Sequence, residues 1–78
     1  MKAYGHANEA PESDPILRLD HVTFGVTADE LQELARFFSH AASEMRRMGK
    51  AYDHIHLQDF CRSWTPAWPD IVLAKEEC

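Results

Sequence analysis

A chain of 78 residues has room for one small domain, and a domain of that size buries only about 60–65% of its unfolded surface, too little to enclose a cofactor deeply. A hydrophobic content of 45% against 27% charged residues excludes disorder of the whole chain. The formal net charge of −5 disfavours nucleic acid as a partner and suits a basic protein.

The chain opens with "MKAYG", in which Ala3 alternates against Lys2 and Tyr4, the pattern of a short strand. These first residues lack the apolar run of a secretory signal, and no later stretch reaches the length of a membrane span, so the protein is expected in the cytoplasm. Residues 6–15, "HANEAPESDP", are polar, carry Pro11 and Pro15, and read as a loop. The following "ILRLDHVTFGV" is rich in strand formers but changes phase. Leu17 and Leu19 share one parity, while Val22, Phe24 and Val26 share the other. A regular strand cannot place all five on one face, so a bulge is expected near Asp20 and His21.

The next segment has the signals of a long helix over residues 28–48. Thr27 and Glu30 have capping-box spacing, with Val26 and Leu31 placed for a hydrophobic staple. Asp29 and Glu30 complement the positive end of the helix dipole, and Arg46, Arg47 and Lys50 complement the negative end. Gly49 is placed to stop the helix. Leu31, Leu34, Ala35, Phe38, Ala42, Met45 and Met48 recur at spacings of three and four and predict the buried stripe. Phe37 falls at its edge, at the rim of a sheet or at a dimer contact. His40 falls nearly opposite the stripe, on the solvent side among Glu33, Arg36, Ser43, Glu44 and Arg47.

"HIHLQDF" alternates polar and apolar residues and reads as a half-buried strand with Ile55 and Leu57 inward. "RSWTPAWP" has two prolines and must be irregular, with Trp68 expected in the core and Trp64 partly exposed. "DIVLAKE" reads as a last strand, and residues 75–78 as a frayed tail. The predicted architecture is a single α+β domain of two layers in β-β-α-β-β order. A four-stranded, mostly antiparallel sheet carries the long helix on one face and leaves the other open.

His54 and His56 lie on that open face, with Asp59 close by. An H-x-H pair on a strand can supply two ligands to a metal, and His21, Asp59 and Cys61 are the candidates for a third. None stands at a recognised ligand spacing, so the pair reads first as the polar side of a strand and next as part of a protein-binding surface. Cys61 and Cys78 form no CxxC pattern and read as reduced thiols. Phosphate loops and the GxSxG and HExxH motifs are absent from the sequence, which argues against an enzyme and implies no cofactor. The candidate contact residues for a protein partner are His54, His56, Asp59, Trp64 and Asp70. Two other readings stand beside it: a homodimeric structural or interaction protein, and a metal-binding protein using His54 and His56.

Four stretches in order carry a family resemblance: the strand ending "VTF", the Thr-capped helix with "LQELA", the strand "HIHLQD" and the terminal "PDIV". Together they resemble the immunity proteins of bacterial polymorphic toxin systems, in particular the immunity protein 32 family. The resemblance covers roughly Leu17 to Ala74. It implies a non-enzymatic cytoplasmic protein that binds and blocks a cognate toxin domain. His54, His56, Asp59, Pro69 and Asp70 fall on its motifs, and it implies no catalytic residue among them.

Overall fold

The structure is a computed structural model that describes residues 1–9 and 18–76. Its elements in chain order are β1 (Lys2–Glu9), β2 (Arg18–Gly25), α1 (Ala28–Met48), a 3-10 turn (Gly49–Ala51), β3 (His54–His56), a short α2 (Leu57–Phe60) and β4 (Val72–Ala74). The α+β class stands, but the strands form two separate antiparallel pairs, β1–β2 and β3–β4, rather than one four-stranded sheet. The reason is local. β3 and β4 have three residues each, and α2 bends the chain away immediately after His56, leaving no length along which a third strand could pair.

β1 also runs further than expected and takes in His6–Glu9, the first part of the proposed 6–15 loop; residues 10–17, with Pro11 and Pro15, lie outside the described residues. Pairing with β2 recruits them, because His6 stands opposite His21 and Ala7 opposite Leu19. Between those two pairs the register skips Asp20, which is the bulge that the change of phase demands. Gly5 and Val22 are opposite each other, as are Ala3 and Phe24, so these four share one face of the ribbon. The Leu19 side chain reaches the same face: a Cβ placed on Gly5 would lie 2.6 Å from Leu19 Cδ1. Gly5 thus makes room for Leu19. Lys2, Tyr4, Thr23, His6 and His21 hold the other face, where the two histidine rings stack 5.3 Å apart.

α1 has the expected bounds. Thr27 accepts from the Glu30 N–H at 3.2 Å, and the Thr27 N–H donates to Glu30 Oε1 at 2.8 Å. Gly49 ends the helix at φ 55°, a left-handed conformation that a side chain would strain. The buried face is rotated from the predicted stripe. Leu34, Phe37 and Ala41 are buried, whereas Leu31 and Phe38 are 55% and 41% exposed, and Ala35 and Met48 are exposed as well. Leu34, Phe37, Leu57 and Cys61 form the core cluster. Met1, Val26, Ile55, Phe60, Trp64, Trp68, Ile71 and Leu73 pack around it. Phe37 is therefore the centre of the core and not the rim, with the Phe60 ring 5.5 Å away. The core lies to one side of the expected stripe because the α2 turn and the tryptophan loop approach the helix there. Glu33 and Glu44 flank that side half-buried and hold their charges outward in pairs with Arg36 and Arg47.

Trp64 and Trp68 are both half-buried, so the expected contrast between a buried Trp68 and a more exposed Trp64 is absent. Trp64 Nε1 donates to the Pro69 carbonyl at 3.0 Å, which turns its ring toward the core. Buried Tyr52 donates its hydroxyl to the Leu73 carbonyl at 2.6 Å, fastening the end of α1 to β4. Burial first, then the nearby charges of Asp53 and Glu44, raises the Tyr52 phenol above its ordinary value. Among the described residues no helix is long and apolar enough to cross a membrane.

Candidate functional site

β3 turns His54 and His56 to the same side, as period-two alternation requires, and their rings meet edge to face 4.9 Å apart. They do not lie on an open sheet. They line a cleft of about 480 Å³ together with His40, Ile55, Asp59 and Phe60. His40 is brought there by its position three residues after Phe37. It is exposed, as expected, but its ring stacks on Phe60 at 5.0 Å, which puts it at the edge of the packed face of α1. Asp59 reaches the cleft because Leu57–Phe60 is a helical turn; a continued strand would have alternated it differently.

Each β3 histidine is held by a carboxylate at Nδ1. Asp53 Oδ2 lies 2.7 Å from His54 Nδ1, and Asp70 Oδ2 lies 2.6 Å from His56 Nδ1. A carboxylate only accepts, so Nδ1 carries the proton in both rings and Nε2 is the nitrogen with a lone pair in the neutral form. Asp70 is the organising residue. Its other oxygen accepts from the Gln58 N–H at 3.1 Å, and the neighbouring Leu57 N–H donates to the Ile71 carbonyl at 2.8 Å. Partial burial alone would push the Asp70 carboxyl up. The hydrogen bonds from His56, Gln58 and the Ile71 N–H, with the charge of His56, outweigh burial and hold it below its ordinary value.

The predicted contact residues divide accordingly. His54, His56 and Asp59 meet at the cleft, and Asp70 joins them through His56. Trp64 does not join them; it is committed to the core and to Pro69. His40, Asp53 and Phe60 complete the site. The one signal for His40 in the sequence is its spacing from Phe37, readable only once Phe37 is known to be the core residue.

The arrangement offers little to a metal. Among the described residues no group of three or more His, Cys, Asp and Glu side chains is placed to hold an ion. Of the third ligands considered, His21 is stacked on His6 in the β1–β2 ribbon, and Cys61 is buried with its thiol 3.6 Å from Glu33. Cys78 lies outside the described residues. What remains is an open cleft of mixed polar and apolar lining with three imidazoles, an aromatic floor and three carboxylates, Asp53, Asp59 and Asp70, in or beside it. No family model, curated protein or solved structure matches the chain.

Proposed function

We propose that this protein is a non-enzymatic, immunity-type inhibitor that binds a basic toxin domain and blocks it by occlusion. The observation that carries this reading is the cleft between α1 and the β3–α2 corner. It presents carboxylates and imidazoles on a chain of net charge −5. A partner with Lys or Arg side chains around its own active cleft would pair with Asp53 and Asp59 and donate to the imidazole nitrogens. The long-range negative field would speed encounter, and the fixed His56–Asp70 unit would supply a preorganised contact. The motif resemblance supplies the biological setting, a toxin neutralised in the cytoplasm of the cell that makes the inhibitor.

The test is genetic and biochemical. Secreted toxin domains encoded beside this gene are co-expressed with it in a sensitive host, and growth is scored. Rescue by the wild type, weakened by Asp59→Lys, is the expected result. Adjacent genes without a toxin, or toxins whose killing is unaffected, would refute the proposal.

A further inference from the structure

The lining of the cleft narrows the kind of group that can sit in it. Its polar part is built to accept hydrogen bonds. Asp59 is a carboxylate, and His54 and His56 already donate their Nδ1 protons to Asp53 and Asp70, at 2.7 and 2.6 Å. The nitrogen left over in each ring, Nε2, accepts when the imidazole is neutral. Among the described residues no Lys or Arg lines the cleft, and Asp59 has no ion-pair partner. An anion finds no counter-charge there, whereas a cation that carries N–H donors finds several acceptors.

Two further observations separate the cations. His40 and Phe60 stack at 5.0 Å and give the cleft an aromatic wall. A flat, weakly hydrated guanidinium lies well against such a wall, whereas an ammonium is compact and keeps its water. The acceptors are also spread out. They come from β3 and from the α2 turn, and the two imidazole centroids alone are 4.9 Å apart. Five N–H groups in one plane reach several spread acceptors at once, while the three of an ammonium diverge from a single nitrogen. The volume, about 480 Å³, is at the lower end of the roughly 300–1,000 Å³ of small-ligand sites and suits one side-chain head group.

We infer that the cleft is a receptor for one arginine side chain of the partner protein. Its guanidinium pairs with Asp59, donates to Nε2 of His54 and His56, and lies against the His40–Phe60 stack. This rests on the partner-binding reading above and sharpens it, since a lysine of the partner would not serve in place of that arginine. Asp53 and Asp70 act as positioning residues that hold the imidazoles in the accepting tautomer. The arginine belongs to a polypeptide and not to the free amino acid, because no cation in the lining answers an α-carboxylate.

The test titrates nitrogen-15-labelled wild type with N-acetyl-arginine amide at about pH 7.5, where an ordinary imidazole is neutral, and follows backbone and imidazole signals by NMR. Saturable shifts centred on His40, His54, His56, Asp59 and Phe60 are expected, with a dissociation constant on the order of millimolar, as befits one side chain alone. N-acetyl-lysine amide should bind at least about threefold more weakly, and free arginine no more tightly than the arginine amide. Asp59→Asn should weaken the arginine amide about tenfold, whereas Asp29→Asn, in the first turn of α1, should leave it unchanged. Absence of saturable shifts in the cleft, equal binding of the two amides, tighter binding of free arginine, or indifference to Asp59→Asn overturns the inference. Every arm is free of toxin, so the inference can fail with occlusion intact, and the toxin test can fail with arginine binding intact.

Discussion

Phe37 and Phe38 are adjacent and chemically identical, yet one should carry the fold and the other should not. Phe37 is fully buried in the cluster of Leu34, Leu57 and Cys61, with the Phe60 ring 5.5 Å away, while Phe38 is 41% exposed. Truncating a buried phenylalanine loses its transfer free energy and leaves a cavity, together about 3–5 kcal/mol. A chain of this length has a total stability of roughly 4–12 kcal/mol, so Phe37→Ala should leave the protein barely folded or unfolded at 25 °C. Phe38→Ala removes a side chain that is largely in water already and should cost about 1 kcal/mol or less. Urea titrations followed by circular dichroism, with the fluorescence of Trp64 and Trp68 as a second probe, would measure both at one fixed protein concentration. Equal costs, or a larger cost for Phe38→Ala, would show that α1 is turned the other way and that the core described above is misplaced.

Tyr52→Phe should cost about 1–2 kcal/mol, because it leaves the Leu73 carbonyl without its donor in a half-buried place; urea unfolding of the single variant checks this, and a neutral result would deny that the hydroxyl fastens β4. Asp70 makes stability depend on acid. Its folded carboxyl is held below the ordinary value, so its contribution is present above about pH 4 and lost as the pH falls through the depressed value. Asp70→Asn should lower stability at neutral pH by about 1 kcal/mol and flatten the acid limb of a stability–pH curve. A variant with an unchanged acid limb would count against the bonds assigned to Asp70.

What could be read from the sequence divides along physical lines. The ends of α1 were legible because capping is local chemistry: Thr27, Glu30 and Gly49 specify them without reference to any partner. The bulge at Asp20 was legible because alternation leaves no other way to unite Leu19 with Val22 and Phe24. The face of α1 that packs was not legible. Apolar residues cover about half its circumference, and only the elements that dock on it decide between Phe37 and Phe38. His40 is exposed, as expected, but the same error hid its contact with Phe60 and with it the cleft. The helical turn at Leu57–Phe60 was hidden for a different reason: four residues cannot display a period. Of the proposed contact residues, the H-x-H pair was placed by spacing, whereas Asp59 reaches the cleft only through that helical turn, and the partnership of Asp70 with His56 spans 14 positions and left no local trace.

The knot of bonds around Asp70 has one more consequence. Leu57 is bonded to Ile71 and Gln58 to Asp70, so the chain between them leaves and returns through a closed neck. Arg62, Ser63, Thr65, Pro66 and Ala67 form the exposed rim of that lariat. Trypsin cutting after Arg62 would sever the backbone without releasing the distal piece, which stays moored by its tryptophans, by β4 and by the His56 clasp. Such a noose can lengthen, shorten or be cut with little disturbance to the cleft, so its rim is the natural place for related chains to differ and for an affinity tag to be inserted.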